Sequence, residues 1–233
     1  MRRQRSGVVT LPPMRYATFD CYGTLIDWNA GIWSELSRLF GEDDADRLLK
    51  RYHELEPQVQ SEDPGKSYRD VMAEVLTLLA KEEQRRLKKD ERDALGRSLP
   101  EWRPFPEVPQ ALADLKQRGW RLGVLTNSDP DLIEASIKHL GVDFPFKVVA
   151  SEIGSYKPAP RHWEVFEQEA RGDRARQVHV GASIYHDIKP ARSLGIRTVW
   201  INRLGEETEY RPTRELPDLS SLPDTLDELV PLE

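Results

Sequence analysis

The chain has 233 residues, of which 38% are hydrophobic and 32% are charged, and no apolar run approaches the length of a membrane span. Its formal net charge is −6, with acidic and basic residues interspersed, so it lacks the basic face typical of nucleic-acid-binding proteins. A single cysteine excludes an internal disulfide framework and is typical of a reducing compartment. We therefore expect a globular cytoplasmic protein that binds neither nucleic acid nor a membrane.

The stretch 16–27 predicts a short buried strand that leads into a tight turn, because an apolar run is followed by Gly23 and Thr24. Asp20 then lies just past the carboxyl end of the strand, where open α/β sheets hold their reactive groups. Turn capping is the alternative role for Asp20, since aspartate is common in turns. For Cys21, next to it, we expect a small buried residue, because no neighbouring group activates the thiol.

The pattern of apolar residues divides the chain into three parts. Residues 1–13 are expected to form a disordered extension. Residues 28–100 show helical periodicity without any predicted strand, and this pattern predicts a helical insertion. From residue 101 onwards, predicted helices and strands alternate. This alternation is typical of a parallel sheet covered by helices, so residues 14–27 and 101–233 predict an α/β core of Rossmann-like type.

Three predicted helices have boundaries that the structure can test. An amphipathic helix over 44–60 is expected to be interrupted at Pro57, because proline lacks the backbone N–H that a helix interior needs. A charged, solvent-facing helix is expected over 82–96. A third helix is expected over 187–194, with Asp187 as its N-cap and Gly195 as its stop.

Four predicted strand ends or following loops carry polar side chains. Because the carboxyl ends of parallel strands share one edge of the sheet, we expect these side chains to converge on one cleft. Each residue alone also has an ordinary role in a turn or on the surface, so the prediction depends on their occurring together. The residues are Asp20 and Thr24, then Thr126, Asn127 and Ser128, then Lys157, then Ser183 and Asp187.

This order of residues resembles the haloacid dehalogenase superfamily. The resemblance implies that Asp20 is a nucleophile, that Thr126 and Lys157 support it, and that Asp187 follows the fourth strand. It also implies that the helical insertion is a cap domain that closes over the cleft. The implied protein is a hydrolase that acts on a small molecule, as a monomer or a homodimer.

The tyrosine two residues after Asp20, Tyr22, resembles the pattern of the L-2-haloacid dehalogenase branch, and so does the segment 198–203. Phosphatase branches usually carry a second aspartate at the position of Tyr22. A phosphate ester needs a general acid for its leaving alkoxide, which a phenol supplies poorly near neutral pH, whereas a halide leaves without a proton. We therefore expect a 2-haloacid dehalogenase that needs no cofactor. The first alternative is a Mg²⁺-dependent phosphatase with Asp20 and Asp187 at the metal, and the second is a non-catalytic binding protein.

The expected chemistry begins with attack by the Asp20 carboxylate on a saturated carbon, which forms an ester that water then cleaves. Lys157 would keep Asp20 ionised, and Asp187 would act as general base toward the water. Since Lys157 is expected in a loop, its replacement by alanine should reduce turnover with little loss of stability. The expected substrate-binding residues are Tyr22, Thr24, Asn127, Ser128, Trp163 and Ser183, with Thr126 as a catalytic hydroxyl donor.

The resemblance also implies a cap arginine that holds the substrate carboxylate, for which Arg51 is the first candidate and Arg47 and His53 are alternatives. The chain departs from the dehalogenase branch at Trp163, where that branch has a tyrosine. It also departs at residues 182–184, and the segment 183–187 resembles instead a side branch that includes an azetidine-carboxylate hydrolase.

Overall fold

The computed structural model of the protein describes residues 14–63 and 65–232, so the extension predicted over 1–13 lies outside the described residues. Within the described part, a six-stranded sheet has the order β3-β2-β1-β4-β5-β6, and every neighbouring pair of strands is parallel. The strands are β1 (Arg15–Phe19), β2 (Trp120–Thr126), β3 (Phe146–Val149), β4 (Gln177–Gly181), β5 (Arg197–Ile201) and β6 (Arg214–Leu216).

Ten α-helices connect and cover these strands in the described residues. They are α1 (Trp28–Phe40), α2 (Glu42–Glu62), α3 (Tyr68–Glu82), α4 (Ala94–Ser98), α5 (Val108–Gln117), α6 (Pro130–Leu140), α7 (Ala150–Ile153), α8 (Arg161–Ala170), α9 (Lys189–Ser193) and α10 (Leu222–Leu229). None of them is both long and apolar enough to cross a membrane. The predicted α/β class with a parallel sheet is therefore confirmed.

The central strands are buried along their whole length, which explains their continuous apolar sequences. All five residues of β1 and of β4 are buried, because helices pack on both faces of the sheet. Tyr16 of β1 belongs to a smaller apolar cluster on one side of the sheet, whereas its neighbour Ala17 belongs to the main core. Alternate residues of one strand thus stabilise two separate layers.

The helical insertion, which we define as α1 to α4, differs from the sequence prediction in two places. Helix α2 continues through Pro57, because the buried residues Leu55 and Val59 on either side of it hold the helix against its neighbours. The charged helix predicted over 82–96 is wrong: α3 ends at Glu82, and turns follow until α4. Between residues 83 and 93 the sequence has one apolar residue, Leu87, which is buried. One residue does not form the apolar face that helical packing needs.

Two further differences lie in the core. The strand β6, which is only three residues long, was not predicted, because a short and partly exposed edge strand has little apolar pattern. The helix predicted over 187–194 begins earlier, as one turn of π-helix at Ile184–Ile188 that leads into α9. Asp187 therefore lies inside the π-turn and does not cap a helix.

One buried carboxylate joins the insertion to the core. Asp129, in the loop after β2, accepts hydrogen bonds from the backbone N–H groups of Tyr68 at 3.0 Å and Arg69 at 2.9 Å. These N–H groups belong to the first turn of α3, which has no earlier helical carbonyls to pair with. The core thus fixes the start of the helix that forms one wall of the cavity described below.

We expect Asp129→Ala to lower the free energy of unfolding by about 1–2 kcal/mol, the usual cost of a lost helix cap. Asp131→Ala is the matched control, because it removes an exposed ion pair to Arg69 and should cost less than about 1 kcal/mol. Urea denaturation of both variants measures the difference. Equal losses would show that Asp129 does not hold the two parts together.

Candidate active site

A cavity of about 870 Å³ lies at the carboxyl ends of the central strands, and helices α1, α2 and α3 form its opposite wall. Asp20, Thr126, Lys157 and Asp187 all line it, although they lie far apart in the sequence. The parallel topology brings them together, since β1, β2 and β4 are adjacent strands that end at the same edge. The predicted convergence of these four residues on one cleft is present in the structure.

Asp20 follows β1 and is held by two donors. Thr24 donates a hydrogen bond from its hydroxyl to Asp20 Oδ2 at 2.7 Å, and Lys157 Nζ donates to Asp20 Oδ1 at 2.9 Å. The chain turns back toward Asp20 at Gly23, whose φ of +87° is strained for residues with a side chain. Burial raises the pKa of Asp20, and the charge of Lys157 opposes this rise.

Lys157 is the centre of the site and is almost completely buried. Besides its bond to Asp20, Nζ donates to Asp187 Oδ1 at 2.6 Å and to the carbonyl of Leu125 at 2.8 Å. Burial acts to lower the pKa of Lys157, but the charges of Asp187 and Asp20 outweigh it and raise the pKa. The expectation that Lys157 contributes little to stability is therefore wrong, because its charge is buried between two carboxylates.

Asp187 is buried between Lys157 and His179, whose Nε2 lies 3.5 Å from Asp187 Oδ1. Burial acts to raise the pKa of Asp187, but the charge of Lys157 and the hydrogen bond to His179 hold it well below its usual range. A Cβ at Gly181 would lie 2.6 Å from the Cβ of Asp187, so only glycine at this position admits the carboxylate. Asp187 is thus fixed as an anion close to Asp20, with Lys157 between the two carboxylates.

An aromatic wall extends from Asp20 toward the insertion. Tyr22 lines the cavity and stacks on Tyr68 of α3, with ring centroids 6.1 Å apart and an angle of 23° between the planes. The Tyr22 hydroxyl lies 3.1 Å from Ser136 Oγ. Burial raises the pKa of Tyr22 well above that of a free phenol, so the ring is an apolar surface and a poor acid.

Cys21, next to Asp20, is fully buried, and burial raises the pKa of its thiol well above the usual value. A thiol in this state is a weak nucleophile. The structure thus agrees with the expectation that Cys21 is a packing residue.

Several residues predicted to bind substrate have other positions. Thr24 is fully buried and does not line the cavity. Its hydroxyl donates to Asp20 and accepts from the N–H of Ala182 at 2.9 Å, which fixes the orientation of the Asp20 carboxylate. Ser128 is also fully buried and does not line the cavity. Asn127 does line it, but its side chain accepts from Lys157 N and donates to Lys157 O, which braces the lysine loop.

Trp163 requires a correction. It is completely buried in the smaller apolar cluster and does not line the cavity. Helix α8 directs its ring onto His179 below the strand ends, at a centroid distance of 5.1 Å. Ser183, by contrast, does line the cavity, and its hydroxyl accepts a hydrogen bond from the N–H of His186 at 3.0 Å.

Arg51 also requires a correction, because neither it nor Arg47 lines the cavity. Arg51 pairs with Glu82 and Glu54, each at 2.7 Å, on the outer face of α2. Arg47 pairs with Glu83 and Asp44 in the same way. Of the three candidates for the substrate carboxylate, only His53 lines the cavity.

The ionisable residues of the cavity that the sequence pattern did not indicate include Glu56 and Arg203. Glu56 of α2 is 8% exposed, and the Tyr68 hydroxyl donates to its Oε1 at 3.0 Å. Arg203 follows β5; it donates to the carbonyl of Thr24 at 3.0 Å and to Glu107 at 2.7 Å. The spacing of apolar residues along α2 could have indicated that Glu56 faces inward, because residues four apart share one face of a helix and Tyr52 is buried.

The residues present fit a divalent metal ion poorly. Among the described residues, no group of three or more His, Cys, Asp or Glu side chains is arranged to hold a metal ion. Asp20 and Asp187 are both ion-paired to Lys157, and Ala182 offers no further side-chain oxygen beside them. Magnesium prefers oxygen ligands in octahedral geometry, so this donor set favours chemistry carried out by the side chains themselves.

Comparison with known proteins defines the family. The model of the haloacid dehalogenase-like hydrolases matches residues 14–195, and the chain belongs to this family of hydrolases. Haloacetate dehalogenase H-2 of Moraxella sp. (strain B) is 31% identical over 88% of this chain and 94% of its own length. (S)-2-haloacid dehalogenase of Pseudomonas sp. (strain YL) is 36% identical over 51% of this chain and 53% of its own length. This second alignment therefore spans only about half of each protein.

The fold is also shared with solved structures. The crystal structure of an L-2-haloacid dehalogenase superposes with a TM-score of 0.82 and covers 92% of this chain and 99% of its own. At 23% identity this likeness concerns the fold. The resemblance to the haloacid dehalogenase superfamily that the strand-end residues indicated is therefore confirmed.

Proposed function

We propose that the protein hydrolyses the carbon–halogen bond of a small 2-substituted carboxylic acid through an ester formed on Asp20. The observation that carries this proposal is the group Asp20, Lys157 and Asp187 beside the aromatic wall of Tyr22. A buried carboxylate with a fixed counter-ion is a competent nucleophile toward carbon. The poor acidity of Tyr22 favours a leaving group that departs without a proton, as a halide does.

In the first step, Asp20 attacks C2 of the substrate, a carbon–oxygen bond forms, and the halide leaves with the electron pair of the carbon–halogen bond. Lys157 balances the charge of the carboxylate before attack and remains paired with Asp187 when Asp20 becomes a neutral ester. Thr24 holds Oδ2 of Asp20 and Lys157 holds Oδ1, so the carboxylate keeps one orientation toward C2. The aromatic wall provides a water-poor surface for the departing halide.

In the second step, water attacks the carbonyl carbon of the Asp20 ester. The bond between this carbon and the substrate oxygen breaks, the 2-hydroxy acid leaves with a proton from the water, and Asp20 becomes a carboxylate again. The low pKa of Asp187 makes it a weak base, so we assign it the role of orienting the water and receiving its proton transiently beside His179. Thr126 Oγ1 is buried in the cavity wall without a hydrogen-bond partner among the described residues, and we assign it to a substrate oxygen. Ser183 lines the same cavity and is a second hydroxyl for this purpose.

The proposal has further parts, which concern the insertion, the cofactors, the location and the oligomeric state. The helical insertion acts as a cap, because its helices close the cavity above the strand ends. The chemistry described needs no metal or cofactor. The protein acts on a small molecule in the cytoplasm, as a monomer or a homodimer.

A paired assay tests this function against its main alternative. Chloride release from 2-chloropropionate and phosphate release from p-nitrophenyl phosphate are measured with the same enzyme, each with added Mg²⁺ and with EDTA. We expect chloride release that is unchanged by EDTA, and no phosphate release. Mg²⁺-dependent phosphate release without chloride release would replace the proposal with a phosphatase, and inactivity toward both would indicate a binding protein.

A further inference from the structure

The charge of the cavity is opposite to what an anionic substrate needs. Lys157 is the one cation next to Asp20, and its charge is already shared between two carboxylates. Arg203, the other permanent cation in the described lining, is paired with Glu107 and lies over the ring of Phe105 at 3.6 Å. Besides Asp20 and Asp187, the carboxylates in the lining are Asp27, Glu56, Glu107, Glu206 and Asp218.

The helical insertion adds to this imbalance, because its arginines face away from the cavity. The guanidinium groups of Arg47 and Arg51 pair with glutamates on the outer surface of α2 and α3. The residues that α2 directs toward the cavity are His53, Glu56, Pro57 and Gln60. Glu56 is the carboxylate among them, and burial lowers the pKa of His53, which opposes a positive charge there. A substrate that carries only a carboxylate would therefore meet no unpaired cation on the insertion side of the described cavity.

Glu56 is prepared to receive a hydrogen-bond donor. Its Oε1 accepts from the Tyr68 hydroxyl, and that hydroxyl in turn accepts from Trp28 Nε1 at 3.0 Å. Among the described residues no other side chain donates to Glu56, which leaves Oε2 available to a ligand. Burial raises the pKa of Glu56 to about 7, and the charge of Asp20 adds to the rise, so a bound cation would stabilise the ionised carboxylate.

A second acceptor, Asn29, follows Trp28 in the chain, and Trp28 is the residue that donates to the Tyr68 hydroxyl. Asn29 lines the cavity, and its Oδ1 is buried without a hydrogen-bond partner in the part of the chain that the structure describes. A buried acceptor without a donor is costly unless a ligand or water satisfies it. Tyr22 and Tyr68 connect the two ends of the cavity, because Tyr22 lies beside Asp20 and Tyr68 contacts Glu56.

From this arrangement we propose that the substrate carries a protonated amine in addition to its carboxylate, and that Glu56 binds the ammonium group with Asn29 Oδ1 as a second acceptor. The inference rests on the proposed function for the reaction at C2, and it names the substrate class. The carboxylate and leaving group lie at the strand ends, and the ammonium group lies toward α2. A zwitterion of this kind matches a cavity with an excess of acceptors and anions.

Turnover of two substrates of equal size tests the proposal. 3-Amino-2-chloropropanoate and 2-chlorobutanoate differ only in an ammonium group that replaces a methyl group. We expect kcat/KM for chloride release, corrected for the reaction without enzyme, to be about tenfold or more higher for the amine, the effect of one charge-assisted hydrogen bond. In Glu56→Gln the preference should fall by about tenfold, and Glu54→Gln, an exposed glutamate of the same helix, should retain it.

Binding of unreactive analogues separates this proposal from the proposed function. β-Alanine and butanoate form the same matched pair without a leaving group, and NMR titration of the wild type and of both glutamine variants gives their affinities. Preference for β-alanine that is lost in Glu56→Gln supports the inference, even if neither chloro compound is turned over and the dehalogenase function fails. Equal affinities for the two analogues, or tighter binding of butanoate, would overturn the inference. If Glu56→Gln does not fold, Asn29→Ala serves as the second variant and should weaken the preference for β-alanine.

Discussion

Asp20→Asn is expected to abolish chloride release, with a loss of at least about 10⁴-fold in kcat, as is usual when a covalent nucleophile is removed. The carboxamide has nearly the same shape and can still accept from Thr24, so the cavity should remain intact. Lys157 keeps its partner Asp187, which limits the effect on folding. Initial rates and thermal unfolding of the same preparation measure the two effects separately.

The control for this variant is Asp143→Asn, an exposed carboxylate outside the cavity, which should retain full activity. A second readout is the mass of the enzyme quenched during turnover. The wild type should carry the added mass of the substrate's carboxyalkyl group, bound through C2 as an ester of Asp20, whereas Asp20→Asn should not. Residual activity above about one hundredth of the wild type in Asp20→Asn would exclude a covalent role for Asp20.

Lys157→Met is expected to lose both activity and stability. Methionine has a similar length but no charge, so two buried carboxylates would lie next to each other without a counter-ion. Removal of one partner from a buried ion pair usually costs about 3–5 kcal/mol, and we expect a loss of this size at pH 7. Chloride release should fall by at least about 10³-fold, because Asp20 would no longer be held ionised.

The pH dependence of this stability loss has a definite sign. In the wild type the pKa of Asp187 is held low, so its contribution is present at neutral pH and is lost only as the pH falls below the usual carboxyl range. In Lys157→Met burial would raise the pKa of both carboxyls, so the variant is least stable at high pH. The difference in unfolding free energy should therefore shrink from pH 7 to pH 5.

Urea denaturation at these two pH values measures this difference, with Lys116→Met, an exposed lysine of α5, as the control that should differ little from the wild type. A stability loss in Lys157→Met that is small, or that does not change with pH, would show that the two carboxylates are not held by this lysine.

Local patterns in the sequence were sufficient for five of the six described strands and for Asp20, Thr126 and Asp187 at their ends. Buried parallel strands have continuous apolar sequences, and strand ends such as Asp20 and Thr126 follow them directly. Their convergence follows from parallel topology alone. The loop position of Lys157 did not reveal its burial, because burial depends on how two other strands present their carboxylates.

The insertion was less predictable, since the direction in which a helix faces depends on its packing against the core. Arg51 and Glu56 lie on the same helix, and only the rotation of α2 decides which of them meets the cavity. The buried residues Tyr52, Leu55 and Val59 define that rotation, and they place Glu56 inside and Arg51 outside. A resemblance to a family implied an arginine here, whereas the helical period of this chain favours the glutamate.

Single-turnover hydrolysis in ¹⁸O-labelled water tests the central claim most directly. With enzyme in excess over 2-chloropropionate, or over the amino acid analogue, the oxygen added to the product comes from Asp20 if an ester forms. We therefore expect unlabelled 2-hydroxy acid and one ¹⁸O atom in the peptide that contains Asp20. Labelled product after a single turnover, with no label in that peptide, would show that water attacks the carbon directly and would contradict the account.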